Sequence, residues 1–164
     1  VVAASAGWAT FVRGDHDAAR QQLERCVELE PMFPRARWWL GQVYLADGRV
    51  DRAITEFRAA VDASGASSEY VASLGQAYAV AGRTTEAKRV LADLENRSSR
   101  QYVAAIDLAL ISTALGDNNR AIELLERAFR QRDIWLFALK VEPRFDPIRT
   151  DPGFQDLVRR MRFP

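Results

Sequence analysis

The stretch from Leu40 to Ala60, LGQVYLADGRVDRAITEFRAA, contains two periodic segments separated by a turn. Asp47-Gly48 separates them, and glycine readily takes the positive φ with which a helix ends in a tight turn. The apolar residues after the turn are spaced by three or four positions, the period of one helix face: Ala53, Ile54, Phe57 and Ala60. The stretch therefore predicts a helix over about 35–46 and a second over about 50–63.

Small residues recur every 34 positions on both sides of this stretch. Three series share the register: Gly7, Gly41, Gly75 and Ala109; Gly14, Gly48, Gly82 and Gly116; Ala19, Ala53, Ala87 and Ala121. A fixed period of this size is typical of stacked two-helix units, none of which can bury its apolar face alone. We divide residues 1–135 into four repeats, 1–33, 34–67, 68–101 and 102–135, and predict an all-α solenoid. Residues that can accept free backbone N–H groups recur where each second helix starts: Asp17, Asp51, Thr85 and Asn119.

These positions carry a family resemblance. The pattern Leu40-Gly41-x-x-Tyr44, Gly48, Ala53-x-x-x-Phe57-x-x-Ala60 resembles the tetratricopeptide repeat, and residues 74–91 repeat it. The first copy is similar, whereas the fourth diverges because Ala109 and Ser112 replace the glycine and the tyrosine. The resemblance implies a right-handed superhelix of antiparallel helix pairs. It also implies a concave groove, lined by the first helix of each repeat, of the kind that commonly binds peptides.

Residues 136–164 depart from the period and are predicted to form a helical C-terminal cap over the last repeat. The run Ile134–Leu139 predicts one apolar helix, and Asp151-Pro152 predicts the start of a final helix over about 152–161. The pattern Phe145-Asp-Pro-x-Arg-x-Asp-Pro-x-Phe154 is similar to the ending of many bacterial multidomain transcriptional regulators and signalling proteins. This likeness implies the C-terminal sensor or interaction module of such a protein. Because the chain begins with Val1 in an apolar helical pattern, we expect a longer parent protein.

The amino-acid composition disfavours several classes of function. A net charge of +1 gives no global field for nucleic acid, so direct nucleic-acid binding is not expected. No apolar run approaches the roughly 18 residues of a membrane span, so membrane insertion is not expected either. Cys26 and His16 are single residues of their kinds, which disfavours a disulfide, a zinc site and a catalytic triad. We predict a non-enzymatic chain without cofactor or metal, located in the cytoplasm, or in the periplasm if the parent is membrane-anchored.

The resemblance places ten candidate binding residues along the groove. Trp8, Phe11 and Trp38 are expected to form an aromatic entrance, and Gln42 and Gln76 to pair with a peptide backbone. The full set is Trp8, Phe11, Arg35, Trp38, Gln42, Leu45, Glu69, Gln76, Ile106 and Leu110. The adjacent Trp39 is predicted to lie in the core.

The sequence thus predicts a protein–protein interaction scaffold with a protein or peptide ligand. Two alternatives stay open. The chain could instead be an oligomerisation module that joins identical copies, or the small-molecule-sensing domain of a transcriptional regulator. Fold alone does not decide between them, because one scaffold serves many functions.

Overall fold

The computed structural model describes residues 2–161, which form nine α-helices and two 3-10 helices and contain no β-strand. The α-helices are α1 (Val2–Val12), α2 (His16–Leu29), α3 (Pro34–Ala46), α4 (Val50–Ala63), α5 (Ser68–Val80), α6 (Thr84–Arg97), α7 (Ala105–Ala114), α8 (Asn118–Arg130) and α9 (Pro152–Arg160). The 3-10 helices are η1 (Ile134–Ala138) and η2 (Pro143–Ile148). Val1 and residues 162–164, which the predicted first repeat and cap include, lie outside the described residues.

The helices stack in pairs, and each pair lies within one of the four expected ranges. Within a pair, the first helix packs on the second, as α3 does on α4. Between pairs, the second helix of one repeat packs on the first helix of the next, as α4 does on α5, and successive first helices also contact each other, as α5 and α7 do. The prediction of an all-α solenoid is confirmed. Of the helices described, none has the length and apolar character needed to cross a bilayer.

Two kinds of glycine position shape each pair. Gly48 has φ of +72° in the turn between α3 and α4, a conformation that residues with a Cβ rarely adopt. Gly41 instead permits close packing, because a Cβ there would lie 2.6 Å from Cε1 of the Phe57 ring. Phe57 and the alanine at position 53 are fully buried beside it.

The observed N-caps differ from the predicted ones. The side chains of Asp15 and Asp117 accept hydrogen bonds from the backbone N–H groups of Ala18 and Arg120. These caps lie two residues before the predicted Asp17 and Asn119. The reason is that α2 and α8 begin at positions 16 and 118, so the predicted residues are already helical. At the helices where Asp51 and Thr85 were the predicted caps, Arg49 and Arg83 occupy the cap position without a side-chain bond.

The tail covers the fourth repeat, but its first element is not the predicted α-helix. Residues 134–138 form the 3-10 helix η1. Leu136 of this helix and Leu139, directly after it, are buried, whereas Ile134 and Phe137 are exposed. The inward spacing of three residues matches the three-residue turn of a 3-10 helix. Further along, η2 packs on α7 and α9 packs on α8. The tail therefore takes the position that the next repeat of a longer solenoid would occupy.

Candidate functional site

An aromatic face crosses the first helices of repeats one to three and consists of Trp8, Phe11, Trp38 and Tyr70. The Trp8 ring centroid lies 5.1 Å from that of Phe11 and 6.3 Å from that of Trp38. Trp38 in turn lies 5.7 Å from Tyr70. Trp8, Phe11 and Trp38 are partly exposed, whereas Tyr70 is buried. The rings therefore form one continuous apolar surface that is partly open.

A hydrogen bond fixes the central ring of the aromatic face. The Nε1–H of Trp38 donates to Oγ of Ser73 at 2.7 Å, and the Ser73 hydroxyl donates to the carbonyl of Glu69 at 3.1 Å. The adjacent Trp39 is 8% exposed, and its ring stacks on that of Trp8 with a centroid distance of 5.9 Å. Trp39 thus belongs to the core, as predicted, and Trp38 belongs to the surface.

Four of the ten predicted groove residues are buried: Gln42, Gln76, Ile106 and Leu110. The Gln42 amide Nε2 donates to Ser73 Oγ at 3.4 Å. The Gln76 amide oxygen accepts from Nη1 of Arg144, also at 3.4 Å. Both amides are engaged within the chain, so the expectation that they pair with a peptide backbone is corrected.

The tail accounts for the burial in the third and fourth repeats. Ile106 and Leu110 belong to an apolar cluster that also contains Phe145 of η2. Arg144 of η2 extends past α7 and contacts Gln76 of α5. The tail was predicted to cover the open end of the stack, but it also lies against the inner helices. The inner wall is therefore open mainly in the first two repeats and along the edge of the third.

Three further predicted residues remain accessible around the aromatic face. Arg35 is exposed, and its guanidinium carbon lies 5.7 Å from the centroid of the Trp39 ring, which is cation–π geometry. Leu45 is partly exposed at the end of α3. Glu69 is partly exposed, and burial raises the pKa of its carboxyl against the opposing charge of Arg35. With Trp8, Phe11 and Trp38, six of the ten predicted residues thus border open surface.

Beside this surface lies an acidic cleft of about 440 Å³ that the sequence interpretation missed. It opens between the first turns of α5 and α7, the segment just before α7, and η1. Its lining residues are Arg35, Ser67, Ser68, Glu69, Gln101, Tyr102, Ala104, Asp107 and Trp135. One signal was available, since Asp107 is the only charged residue between Val103 and Leu115. The repeat pattern gave no indication that Trp135 of the tail would line the same cleft.

Asp107 has the most perturbed carboxyl of the acidic cleft. Its pKa is raised to about 7 by burial and then by the charge of Glu69, with a smaller contribution from Asp133. The charge of Arg144 opposes this rise. However, Arg144 also donates to Glu142 through Nε at 2.8 Å and Nη2 at 3.0 Å. Arg144 therefore offsets only part of the negative charge of Asp107, and the electrostatic potential in the cleft is negative.

Comparison with known families decides the type of repeat. A family model of the tetratricopeptide repeat matches residues 5–69, and a second model of the same description matches residues 69–93. Residues 5–93 are tetratricopeptide repeats. The later helices extend the same architecture, because solved tetratricopeptide structures align with almost the whole chain. The described residues thus have the tetratricopeptide solenoid fold.

Three solved structures illustrate the likeness. TTC0263, a thermophilic TPR protein of Thermus thermophilus, is 22% identical with a TM-score of 0.64, over 95% of this chain and 93% of that chain. Pseudomonas aeruginosa pilF is 18% identical with a TM-score of 0.66, over 99% of this chain and 76% of that one. The APC/C hetero-tetramer Cut9-Hcn1 is 15% identical with a TM-score of 0.67, over 96% of this chain but 32% of that chain. At these identities the likeness establishes the fold alone. No curated protein sequence matches the chain.

Proteins built from tetratricopeptide repeats are generally protein-interaction scaffolds, and the fold is a non-catalytic one. Within residues 2–161, no group of His, Cys, Asp and Glu side chains is placed to hold a metal ion. Cys26 is a partly buried free thiol.

Proposed function

We propose that the repeat domain binds a segment of another protein across its aromatic face, as a non-catalytic module without a cofactor. One observation carries the proposal: Trp8, Phe11 and Trp38 form a partly exposed row, with Trp38 held by its hydrogen bond to Ser73. Aromatic anchors surrounded by polar groups supply most of the binding energy at protein interfaces. Arg35 provides part of that polar rim.

The proposed setting is a larger bacterial regulatory or signalling protein, of which this domain is the C-terminal sensor or interaction part. Support comes from the sequence pattern over 145–154, which is similar to the ending of such regulators. We place this protein in the cytoplasm, or in the periplasm if it is membrane-anchored. With a net charge of +1, the chain is not expected to bind nucleic acid directly.

A selection from a phage-displayed library of random peptides tests the proposal. Peptides that the wild-type domain enriches are synthesised, and their affinities are measured by fluorescence polarisation on the Trp38→Ala variant. We expect the loss of this half-buried anchor to weaken binding by about 2 kcal/mol, or roughly thirtyfold. Trp38→Phe keeps an aromatic ring but loses the indole N–H that bonds Ser73, and should lose only part of the affinity.

Leu29→Ala is the control, because Leu29 is an exposed apolar residue at the end of α2, a second helix, whereas the aromatic face lies on first helices. It should bind the selected peptides like the wild type. Circular dichroism melting of each variant separates loss of binding from loss of fold. The proposal fails if no peptide is enriched, or if a folded Trp38→Ala variant binds as tightly as the wild type.

Self-association is the competing proposal, and the exposed apolar residues Ile134, Phe137 and Val141 of the tail favour it. If the domain is an oligomerisation module, sedimentation equilibrium will show a mass that rises with concentration, and Phe137→Ala will reduce that rise. A constant monomer mass would contradict this alternative. Selective thermal stabilisation by a metabolite, without peptide binding, would instead support small-molecule sensing.

A further inference from the structure

One side of α1 is exposed although the helix contains no charged residue. Its sequence is VAASAGWATFV. Ala4 and Gly7 are buried, and a Cβ at Gly7 would lie 2.8 Å from Cγ of Leu23 in α2. The outer face of α1 consists of its exposed apolar residues, Ala3, Ala6, Ala9 and Val12. A helix that lacks a charged side is normally covered by protein on all sides.

The other repeats bury the positions that are equivalent to the outer face of α1. In the register of 34 residues, three buried leucines correspond to Ala6: Leu40, Leu74 and Leu108. Three fully buried residues correspond to Ala9: Val43, Ala77 and Ile111. The first helices that carry them, α3, α5 and α7, each pack against the second helix of the preceding repeat, which is α2, α4 or α6. The internal symmetry of the chain thus shows what kind of element covers this side of a first helix.

The two ends of the described stack differ in their outer surfaces. In α9, the exposed residues after Pro152 are polar or charged: Gln155, Asp156, Arg159 and Arg160. A terminal unit of a repeat protein needs such a polar outer face for solubility. The outer face of α1 carries no charge, so it resembles the packing surface between two repeats.

Residue size indicates which partner fits the outer face of α1. Ala6 and Ala9 are smaller than Leu40 and Val43, so a helix can approach α1 closely and must itself supply the large apolar side chains. The second helices of the described chain do not offer such a side, because α2, α4, α6 and α8 already pack within the stack. Two copies joined through α1 would place alanine against alanine and bury little apolar area. The matching occupant is therefore an amphipathic α-helix of another protein.

We propose that the outer face of α1 is a docking surface for an amphipathic α-helix of a partner protein, which packs on α1 as α2 packs on α3. The partner helix presents apolar residues at three- and four-residue spacing to α1 and a charged side to water. The outer face of α1 is separate from the aromatic face, because Ala9 and Ala6 lie about 100° and about 160° around the helix from Trp8. The inference therefore goes beyond the proposed function.

A synthetic peptide with the sequence of α4, VDRAITEFRAAVDA, is the probe, because α4 packs on α5 in the way proposed for the partner on α1. A hydrocarbon staple between positions 51 and 55, both exposed in the chain, keeps it helical, since an isolated helix of this length is marginal in water. The control peptide carries Ile54→Ser and Phe57→Ser, which remove much of the apolar side and keep the charge. In ¹⁵N NMR spectra of the domain, the α4 peptide should shift the amide signals of α1, and the control peptide should leave them unchanged.

Ala6→Arg places a charge in the outer face of α1 while keeping a good helix former, and should weaken binding of the α4 peptide about tenfold or more. Ala92→Arg is the matched control, because Ala92 is an exposed alanine of α6. It should bind within about twofold of the wild type. Circular dichroism melting checks that both variants are folded. The proposal is overturned if the α4 peptide does not bind, if the control peptide binds equally well, or if Ala6→Arg and Ala92→Arg behave alike.

Two further measurements separate the outer face of α1 from the other surfaces. Trp38→Ala should bind the α4 peptide like the wild type, whether or not the aromatic face binds the peptides selected from the library. Loss of α4-peptide binding in a folded Trp38→Ala variant would place that peptide on the aromatic face and overturn the proposal. In sedimentation equilibrium, Ala6→Arg should have the same mass as the wild type at every concentration. If it instead abolishes a rise in mass with concentration, a second copy of this chain occupies the outer face of α1, and the proposal of a separate partner is wrong.

Discussion

At the scale of single residues, the absence of one Cβ decides how closely α3 and α4 pack. Gly41 lies against the fully buried Phe57 ring, and a methyl group there would overlap it. The fourth repeat solves the same contact differently: Ala109 and Leu125 occupy the equivalent positions, and both are fully buried. The large Phe57 ring thus faces a glycine, whereas the smaller Leu125 faces an alanine.

Gly41→Ala should destabilise the domain by about 2 kcal/mol, because a Cβ placed 2.6 Å from Phe57 Cε1 overpacks the core. Urea denaturation measures the change. Combining it with Phe57→Leu reproduces the pair of the fourth repeat, so the double variant should lose less than the sum of the two single losses. Simple additivity would show that the two positions do not share a steric limit.

Asp107 predicts a pH effect on stability. Its folded pKa of about 7 lies above the ordinary 3.8, so the folded state holds the proton more tightly than the unfolded chain. Stability from this group is present at low pH and is lost as pH rises from about 4 to about 7. Asp107→Asn should therefore be more stable than the wild type by roughly 1–3 kcal/mol at about pH 8, and about equal to it at about pH 4. A difference that does not change with pH would contradict this account.

At the scale of the element, a cap stabilises a helix only if it immediately precedes the first helical residue. Asp117 precedes α8 and accepts from the N–H of Arg120 at 3.1 Å, whereas Asn119 lies exposed inside the first turn. The same geometry recurs at Asp15 before α2. Repeat alignment locates the start of a helix to within a turn, and backbone geometry then selects the capping residue.

Asp117→Ala should lower the free energy of unfolding by about 1 kcal/mol, because an N–H group of α8 loses its acceptor. Asn119→Ala, two residues later in the first turn of α8, should change it by less than about 0.5 kcal/mol. Both values come from thermal and urea unfolding of the single variants. A larger loss at Asn119 would favour the alignment-based capping residue instead, and equal losses would contradict the assignment of Asp117 as the cap.

At the scale of the whole molecule, the tail completes the solenoid and shapes its groove. Phe145 and Ile148 of η2 are buried in the cluster that contains α7 side chains, and Arg144 contacts Gln76 in the third repeat. A stack of repeats exposes an apolar face at its end unless something covers it. Here the covering segment also closes the inner wall of the fourth repeat, so the open surface shifts towards the N-terminal repeats.

Phe145→Ala should therefore lower the free energy of unfolding of the whole domain by about 3–5 kcal/mol. Phe137→Ala removes the same ring from an exposed position of the tail and should have little effect. Differential scanning calorimetry distinguishes the outcomes. If Phe145→Ala leaves the main transition unchanged, the tail folds apart from the repeats.

The sequence by itself determined the repeat length, the helix pairs, the glycine turns and the core position of Trp39. Each depends on local periodicity, or on residues such as Gly48 whose backbone freedom is visible in the residue type. The tertiary structure alone decided that Gln42, Gln76, Ile106 and Leu110 are buried, and that Asp107, Tyr102 and Trp135 line one cleft. The tail has no repeat period, so nothing in its sequence specifies the path that brings it against α7. Long-range packing therefore determines both the burial of these residues and the formation of the cleft.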